Sequence, residues 1–190
     1  MADPIDVLDF WLGEVGPDGW YARGNAVDDK VRARYLDLWQ AALEGGLEHW
    51  VDGAPGALAY LIVTDQFPRN LFRDDPRSFA TDPQARAASA RAIAAGWDLD
   101  APEPERQFFY LPLMHSEDPE DQATCIAMVA NRMPDTGADT LHHARVHAEA
   151  IRRFGRFPHR NAALGRQSTP DEAQFLAEGG YPALVKAMRA

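Results

Sequence analysis

Signals that begin and end helices recur from one end of this sequence to the other, and they constrain the fold more than any other feature. A cap residue followed by proline, a pattern typical of a helix start, occurs at Asp3-Pro4, Asp82-Pro83, Asp118-Pro119 and Thr169-Pro170. No segment alternates β-branched and polar residues as a half-buried strand does. The sequence therefore predicts an all-α fold.

About eight helices are expected from these signals and from apolar residues spaced three and four apart. The loops between them are short, which favours antiparallel neighbours in an orthogonal or solenoid-like array. The predicted helices run from Asp3-Pro4 to Gly13, Asn25 to Gly45-Gly46, Pro55 to Phe67-Pro68, Asp82 to Gly96, Glu103 to Tyr110, Asp118-Pro119 through Met133, Ala138 to Phe154, and onward from Thr169-Pro170, where Thr169 and Glu172 are expected to form a capping box.

The length and charge of the chain restrict its organisation and its partners. With 190 residues and no linker, we expect residues 1–190 to form a single all-α domain. A formal net charge of −10 argues against nucleic acid and anionic membrane surfaces as partners. Short apolar runs, an N-terminus unlike a signal peptide and a single cysteine, Cys125, lead us to expect a cytoplasmic protein.

The segment RRFGRFPHRNAALGR, at residues 152–166, is strongly basic for so acidic a chain. Arg152 and Arg153 fall in the last turn of a predicted helix, where cations are favoured, and Glu149 lies four residues before Arg153. Beyond Gly155, which is expected to end that helix, helix physics gives no reason for the polar residues. These are Arg156, His159, Arg160 and Asn161.

A similar segment, DQFPRNLFR, occupies residues 65–73, so that Phe-Pro followed by Arg and Asn occurs twice. In each copy the Phe can anchor in the core, while the Pro ends the helix and turns the polar pair to one side. Arg69 and Arg160, facing each other, would form a clamp for a carboxylate or phosphate. Alternatively, the motif arginines pair with carboxylates and tie the loops together. Candidate carboxylates are Asp65, Asp74, Glu117 and Asp118.

A third polar segment, LPLMHSEDPEDQ at residues 111–122, precedes another predicted helix. Asp118 or Ser116 can cap that helix, so neither requires a functional explanation. His115 and Glu117 have no such structural role, and a histidine beside a carboxylate can act as a general acid or base near neutral pH. The alternative is an ordinary hydrogen-bonded, half-buried histidine.

No cofactor and no metal site are predicted. His143 and His147 lie four residues apart on one helix, but two imidazoles do not make a tetrahedral ligand set. Cys125 lies on an apolar helix face, as is typical of an inert buried thiol. A glycine-rich phosphate loop, a nucleophile elbow and an HExxH motif are all missing from the sequence. Candidates for a third metal ligand are His115, Glu117 and His159.

Together these segments resemble a bacterial domain-of-unknown-function family, number 924, which is assigned to the tetratricopeptide-like helical superfamily. The resemblance also includes VLDFWLGE at residues 7–14, ERQFFY at 105–110 and STPDEAQFL at 168–176, and so spans nearly the whole chain. It implies a helical array and no particular reaction. Since the tetratricopeptide consensus is missing at its usual spacing of about 34 residues, the label describes kinship of fold alone.

We hypothesise that the three motif loops build a polar pocket for a small anionic or polar metabolite. Arg69 and Arg160 would hold the anion, and a histidine would move a proton. The predicted catalytic residues are His115, His159 and Glu117. The predicted ligand-binding residues are Asp65, Gln66, Arg69, Asn70, Arg73, Ser116, Arg156, Arg160 and Asn161.

A competing hypothesis is a non-enzymatic protein-interaction module. In that case the arginine motifs are structural staples, and the working surface is an apolar groove between helices. The surroundings of the arginines distinguish the two hypotheses, because a ligand clamp needs guanidinium groups that line a concave cavity, whereas staples are neutralised by carboxylates.

Overall fold

The computed structural model describes residues 3–22 and 24–189. The chain is 75% helical, and no residue in these two ranges belongs to a strand. The predicted all-α class is therefore confirmed, while the tetratricopeptide-like label stays a prediction.

The helices are joined by short loops, by single 3₁₀ turns and by two π-helical segments. The α-helices are α1 (Pro4–Leu8), α2 (Gly16–Trp20), α3 (Asn25–Leu43), α4 (Ala54–Leu61), α5 (Phe67–Leu71), α6 (Asp82–Ala95), α7 (Leu111–Met114), α8 (Pro119–Arg132), α9 (Ala138–Phe154), α10 (Pro170–Ala177) and α11 (Gly180–Arg189). The π-helical segments are Asp9–Val15 and Ile62–Gln66, and the 3₁₀ turns are Glu48–Trp50, Pro76–Phe79, Trp97–Asp100, Glu105–Phe109 and Pro158–Arg160.

The chain divides into two compact units, a first unit that ends at Pro112 and a second unit that begins at Leu113. Each unit is described by itself. A single domain over residues 1–190 stays a prediction, and residues 1, 2, 23 and 190 of that range lie outside the described residues.

Predicted caps fix several helix ends. The Asp3 carboxylate accepts hydrogen bonds from the first turn of α1, and Asp118 does the same for α8. Thr169 and Glu172 form the predicted capping box of α10. Gly155 has a φ of 67° and closes α9, as predicted, because glycine adopts the left-handed conformation without a Cβ clash.

Two predicted helix ends are wrong, because π-helical segments carry the helices onward. The first helix continues past Gly13 through the segment Asp9–Val15. The third does not stop at Phe67-Pro68: the Phe67 N–H bonds to the carbonyl of Ile62, five residues back, and α5 begins at Phe67. This wider turn accommodates Pro68 in the second position of α5, where its missing N–H costs little.

Two other elements also differ from the prediction. The helix expected from Glu103 to Tyr110 is a 3₁₀ helix over Glu105–Phe109. Its five residues, which follow prolines without an N–H to donate, form only the short and tighter kind of helix. The helix predicted from Thr169-Pro170 is divided into α10 and α11 by Gly179, whose φ is 102°.

Aromatic side chains fill the core of the first unit. The rings of Tyr35 and Phe67 stack with their centroids 4.9 Å apart, and Trp11 meets Phe67 edge-on at 5.5 Å. Phe67 is fully buried, so the Phe of DQFPRN anchors its motif in the core as predicted. Since α3 supplies Tyr35 from its predicted apolar stripe, the motif is fixed between α3 and the start of α5.

The second unit has a smaller apolar core beneath the other Phe-Pro motif. Val146, Ala150 and Ile151 of α9 pack with Leu184 of α11 around Phe157. Phe157 is fully buried, which confirms the predicted anchor of FPHRN. The polar residues after Phe157 are therefore held against α9 and α11.

Gly155→Ala will lower the free energy of unfolding by about 1–2 kcal/mol, because the left-handed conformation costs an L-residue about that much. Space is not the reason, since an added Cβ at Gly155 meets no atom within 4 Å. Gly13→Ala is the matched control, because its Cβ also meets nothing within 4 Å and its φ is not positive. We expect the control to be neutral or stabilising by about 0.4–1 kcal/mol. Denaturant unfolding measures both changes, and equal effects would contradict the role of the left-handed conformation at Gly155 in stability.

Candidate functional site

Arg69, from the first motif, lies between two carboxylates of the first unit. Its Nη2 atom is 3.3 Å from the buried carboxylate of Asp65 and 3.0 Å from that of Asp82, while Nη1 donates to the carbonyl of Asp65. Desolvation opposes the charge of Arg69, but attraction to the two aspartates outweighs it and raises the pKa of the guanidinium. Arg69 is thus a neutralised staple rather than one half of a free clamp.

The remaining predicted residues of this motif are also hydrogen-bonded. Arg73 donates from Nε and Nη2 to the two carboxylate oxygens of Asp28 on α3, at 2.7 and 2.9 Å. Asn70 donates to the same carboxylate at 2.8 Å, and Gln66 donates to Asp65 at 2.5 Å. Burial raises the pKa of Asp28, but these hydrogen bonds and the charge of Arg73 lower it overall. The motif therefore ties α5 to α3.

An open depression of about 420 Å³ borders this motif, and another of about 410 Å³ shares Asp28 and Arg73 with it. The first is lined by Asp28, Arg69, Arg73 and Asp74, together with Gly24, Ser78 and Phe79. Its lining carries both signs of charge, and both arginines are already ion-paired. This surface is polar but offers no excess of positive charge to an anion.

In the second unit, Arg156 forms a two-fold ion pair with Glu172 at the start of α10. Its Nε and Nη2 atoms donate to the two carboxylate oxygens at 2.5 and 2.7 Å. Glu172 is 2% exposed and also accepts from the side chain of Asn161 and the backbone N–H of Thr169. The bond from Arg156, above all, lowers the pKa of Glu172 to about 2. Arg156 and Asn161 thus have structural partners that link FPHRN to α10.

Glu117 anchors the same loop from the HSED motif. Its carboxylate accepts from the backbone N–H of Phe157 at 2.8 Å and from two nitrogens of Arg166 at 2.8 and 3.0 Å. Arg166 also donates to the side-chain oxygen of Asn161 at 2.9 Å. Burial raises the pKa of Glu117, but these bonds outweigh burial and lower it. Glu117 is therefore ion-paired with Arg166. Its catalytic role stays a prediction.

His147, His159 and Arg160 lie around the ring of Phe157, and His115 lies beside His147 and Arg160; we call these four residues, His115, His147, His159 and Arg160, the imidazole cluster. The rings of His115 and His147 have centroids 6.0 Å apart, and those of His147 and His159 lie 5.4 and 5.6 Å from Phe157. The Arg160 guanidinium lies 4.6 Å over the same ring, and its Nη2 donates to the backbone carbonyl of His115 at 2.8 Å.

The surroundings of the cluster disfavour protonation of its imidazoles. Desolvation lowers the pKa of His147 well below its ordinary value, and His115, His159 and Arg160 lower it further. His159 is exposed, yet desolvation of its ring and then the effects of Arg160 and His115 lower its pKa to about 4. His147 and His159 are therefore neutral near pH 7, and an anion beside them would favour their protonated forms.

The loop that carries His115 is held by backbone contacts. Ser116 accepts from the backbone N–H of Asp118 through its hydroxyl, which gives it a turn-forming role. The buried amide of Gln122 donates to the carbonyls of Leu113, Met114 and Ser116, at 2.6–3.3 Å. Gln122 thus positions the backbone on both sides of His115.

Several residues of these networks were not predicted. Glu172 was recognised only as part of a capping box, and Arg166 lies at the end of the basic segment without a distinguishing pattern. Tyr181 and Gln122 have no local signal in the sequence at all. The unpredicted partners are Asp28, Asp82, Gln122, Arg166, Glu172 and Tyr181.

Metal and thiol chemistry have little support in the described part of the chain. Among residues 3–22 and 24–189 no group of three or more His, Cys, Asp or Glu side chains is placed to hold a metal ion. Cys125 is fully buried, and desolvation raises the pKa of its thiol to about 12. No helix in these ranges has the length and apolar character that a membrane crossing requires.

The predicted site residues fall in both compact units. The DQFPRN residues belong to the first unit, and the HSED and FPHRN residues belong to the second, where Glu117, Arg160 and His115 are brought together. A single pocket shared by all three motifs stays a prediction.

Comparisons with known proteins identify relatives without a known activity. A family model described as "Bacterial protein of unknown function (DUF924)" matches residues 7–180. A solved structure of a protein of unknown function from Agrobacterium tumefaciens is 41% identical to this chain, with a TM-score of 0.86. That match covers 92% of this chain and 97% of the other. No curated protein matches the sequence.

Glu172→Gln will lower the free energy of unfolding at pH 7 by about 2 kcal/mol, because it weakens charge-assisted hydrogen bonds to a buried carboxylate. The pKa of Glu172 is about 2 in the folded protein against an ordinary value of 4.5. Its stabilising effect is therefore complete above pH 4.5 and is lost as the pH falls towards 2. The variant should accordingly show a shallower loss of thermal stability over that interval.

Glu178→Gln serves as the control, since Glu178 is exposed and accepts a hydrogen bond from the neighbouring side chain of Gln174. Thermal unfolding of both variants and the wild type between pH 2 and pH 7 tests the role of the network. A Glu172→Gln curve parallel to that of the wild type would contradict it.

Proposed function

The chain belongs to the DUF924 family of bacterial proteins, and from the geometry of its second unit we propose that it binds a small anionic or polar molecule at the imidazole cluster. The observation that carries this proposal is the packing of two imidazoles and one guanidinium around Phe157, with the imidazole of His115 beside His147. A charged guanidinium with neutral imidazoles next to it offers an anion one strong donor and several hydrogen-bonding groups.

Arg160 is the fixed charge of the proposed site. The residue is 7% exposed, and its bond to the His115 carbonyl sets the direction of the guanidinium. Arginine keeps its charge at every physiological pH, whereas His147 and His159 are neutral near pH 7. One positive fork with neutral hydrogen-bonding rings beside it suits a carboxylate, phosphate or sulfate group.

The other motif arginines have a different role in this proposal. Arg69, Arg73 and Arg156 each bind carboxylates, as the staple hypothesis requires. We assign these three arginines to loop anchoring and place the anion site beside Arg160, because its guanidinium lies over the Phe157 ring within the imidazole cluster. A cytoplasmic location remains our expectation, for the reasons that the composition gives.

The protein-interaction module is the second candidate function, and the paired arginines favour it. The exposed large apolar side chains that would serve such a module are Ile5, Tyr21, Leu99, Leu164, Leu176 and Met188. They come from many different elements, so they do not by themselves define a groove. For this reason we place the anion site first.

Inorganic phosphate, sulfate and a panel of small carboxylates should raise the melting temperature of the wild type at constant ionic strength. The gain by mass action is about 2.7 kcal/mol when the ligand is at a hundred times its Kd. Arg160→Gln should weaken the binding of the best anion at least tenfold, because a charged hydrogen bond is worth about 1.5–3 kcal/mol.

Arg152→Gln is the matched control, since Arg152 is an exposed arginine that binds Glu149 on the surface of α9. It should bind the anion as the wild type does. Equal binding by the Arg160→Gln and Arg152→Gln variants would contradict the proposed site. A wild type that no anion stabilises would favour the interaction module.

A further inference from the structure

The hydrogen bonds of His147 determine which of its ring nitrogens carries the proton. Its Nδ1 atom lies 2.8 Å from the backbone carbonyl oxygen of His143. A carbonyl oxygen can only accept, so Nδ1 must be the donor. Desolvation keeps the ring neutral, and Nε2 then carries a lone pair. In the described part of the chain, every hydrogen bond of this ring runs through Nδ1.

The same argument fixes the protons of two neighbours. The hydroxyl of Tyr181 lies 3.1 Å from Nδ1 of His147 and 2.7 Å from Nδ1 of His143. Because the first nitrogen already bears a proton, the Tyr181 hydroxyl donates to His143. A neutral His143 then carries its proton on Nε2, which faces the carboxylate of Asp139 at 3.6 Å. The hydrogen bonds of His147 and of the Tyr181 hydroxyl thus assign the tautomers of His147 and His143.

We infer that His147 is the proton acceptor of the proposed anion site, with the lone pair of Nε2 held available by Tyr181 and His143. This inference rests on the proposed function. A bound weak acid would give its proton to Nε2: the bond from hydrogen to the acid breaks, its electron pair stays on the acid, and the new N–H bond makes His147 an imidazolium. Arg160 would stabilise the resulting anion. The substrate class is therefore a small acid that is deprotonated as it is held.

Anion binding would give this step its driving force. In the free protein, desolvation and then repulsion from neighbouring groups, the charge of Arg160 among them, oppose a second proton on His147. An anion beside Arg160 cancels part of that repulsion, so the pKa of His147 should rise when the anion binds. The groups that face His147 from the packed elements are His115, His143, His159, Arg160 and Tyr181, with Asp139 and Glu117 beyond them.

Nuclear magnetic resonance of the imidazole nitrogens tests the inference on the full chain without any ligand. We expect His147 to be the Nδ1–H tautomer and His143 the Nε2–H tautomer. Tyr181→Phe should leave the tautomer of His147 unchanged, because its Nδ1–H still donates to the His143 carbonyl. The same change should produce a mixture of the two tautomers of His143, because it removes the hydroxyl that donates to Nδ1 of His143. Tyr21→Phe, which removes the hydroxyl of an exposed tyrosine bonded to Gln107, should change neither ring.

A titration with sulfate, which keeps its charge over the working pH range, tests proton acceptance. We expect sulfate to raise the pKa of His147 by at least one unit, so that sulfate binds at least tenfold more tightly in total as the pH falls from the raised pKa to the pKa of the free protein. His147→Gln should bind sulfate with a much weaker dependence on pH.

The outcomes separate this inference from the proposed function. An Nε2–H tautomer of His147 in the free wild type overturns the inference even if sulfate binds at Arg160. Sulfate binding that depends on Arg160 but leaves the pKa of His147 unchanged overturns it as well, and the proposed function survives both results. If neither sulfate nor any other anion binds to the wild type, the proposed function fails and the inference fails with it.

Discussion

The ion-paired network around Asn161 is the constraint on which the rest of the second unit depends. Two carboxylates, Glu117 and Glu172, bind Arg166 and Arg156, and Asn161 connects the two pairs by donating to Glu172 and accepting from Arg166. This network gives the loop after α9 a fixed shape without regular secondary structure. Glu117 also accepts a hydrogen bond from the backbone N–H of Phe157. The network therefore fixes the backbone of Phe157, while the apolar core fixes its ring.

A rigid loop of this kind supports chemistry next to it. Arg160 follows Phe157 by three residues, so its backbone is fixed by the core and by the network together. Gln122 fixes the backbone beside His115 in the same way. The imidazole cluster therefore rests on groups whose charges are paired and whose positions are fixed by hydrogen bonds, and these neighbours hold Arg160 close to imidazoles that stay neutral.

Features that depend on local sequence could be predicted, and those that depend on distant partners could not. The end of α9 at Gly155 and the pairing of Glu149 with Arg153 follow from spacings of a few residues. Arg156 and Glu172 are 16 residues apart, and no pattern selects Glu172 among the 29 acidic residues of the chain. The sequence thus identified the loops that carry the motif arginines. The carboxylates that bind those arginines could be found only from the fold.

The π-helical segment Ile62–Gln66 changes which face of the helix is occupied by the side chains that follow it. A π turn contains one residue more than an α turn, so side chains after Gln66 are rotated by about 100° relative to an uninterrupted α-helix. An apolar periodicity counted across the segment therefore averages two different faces. Because the segment holds one residue more per turn, it sets which face of the helix the residues of the DQFPRN motif occupy.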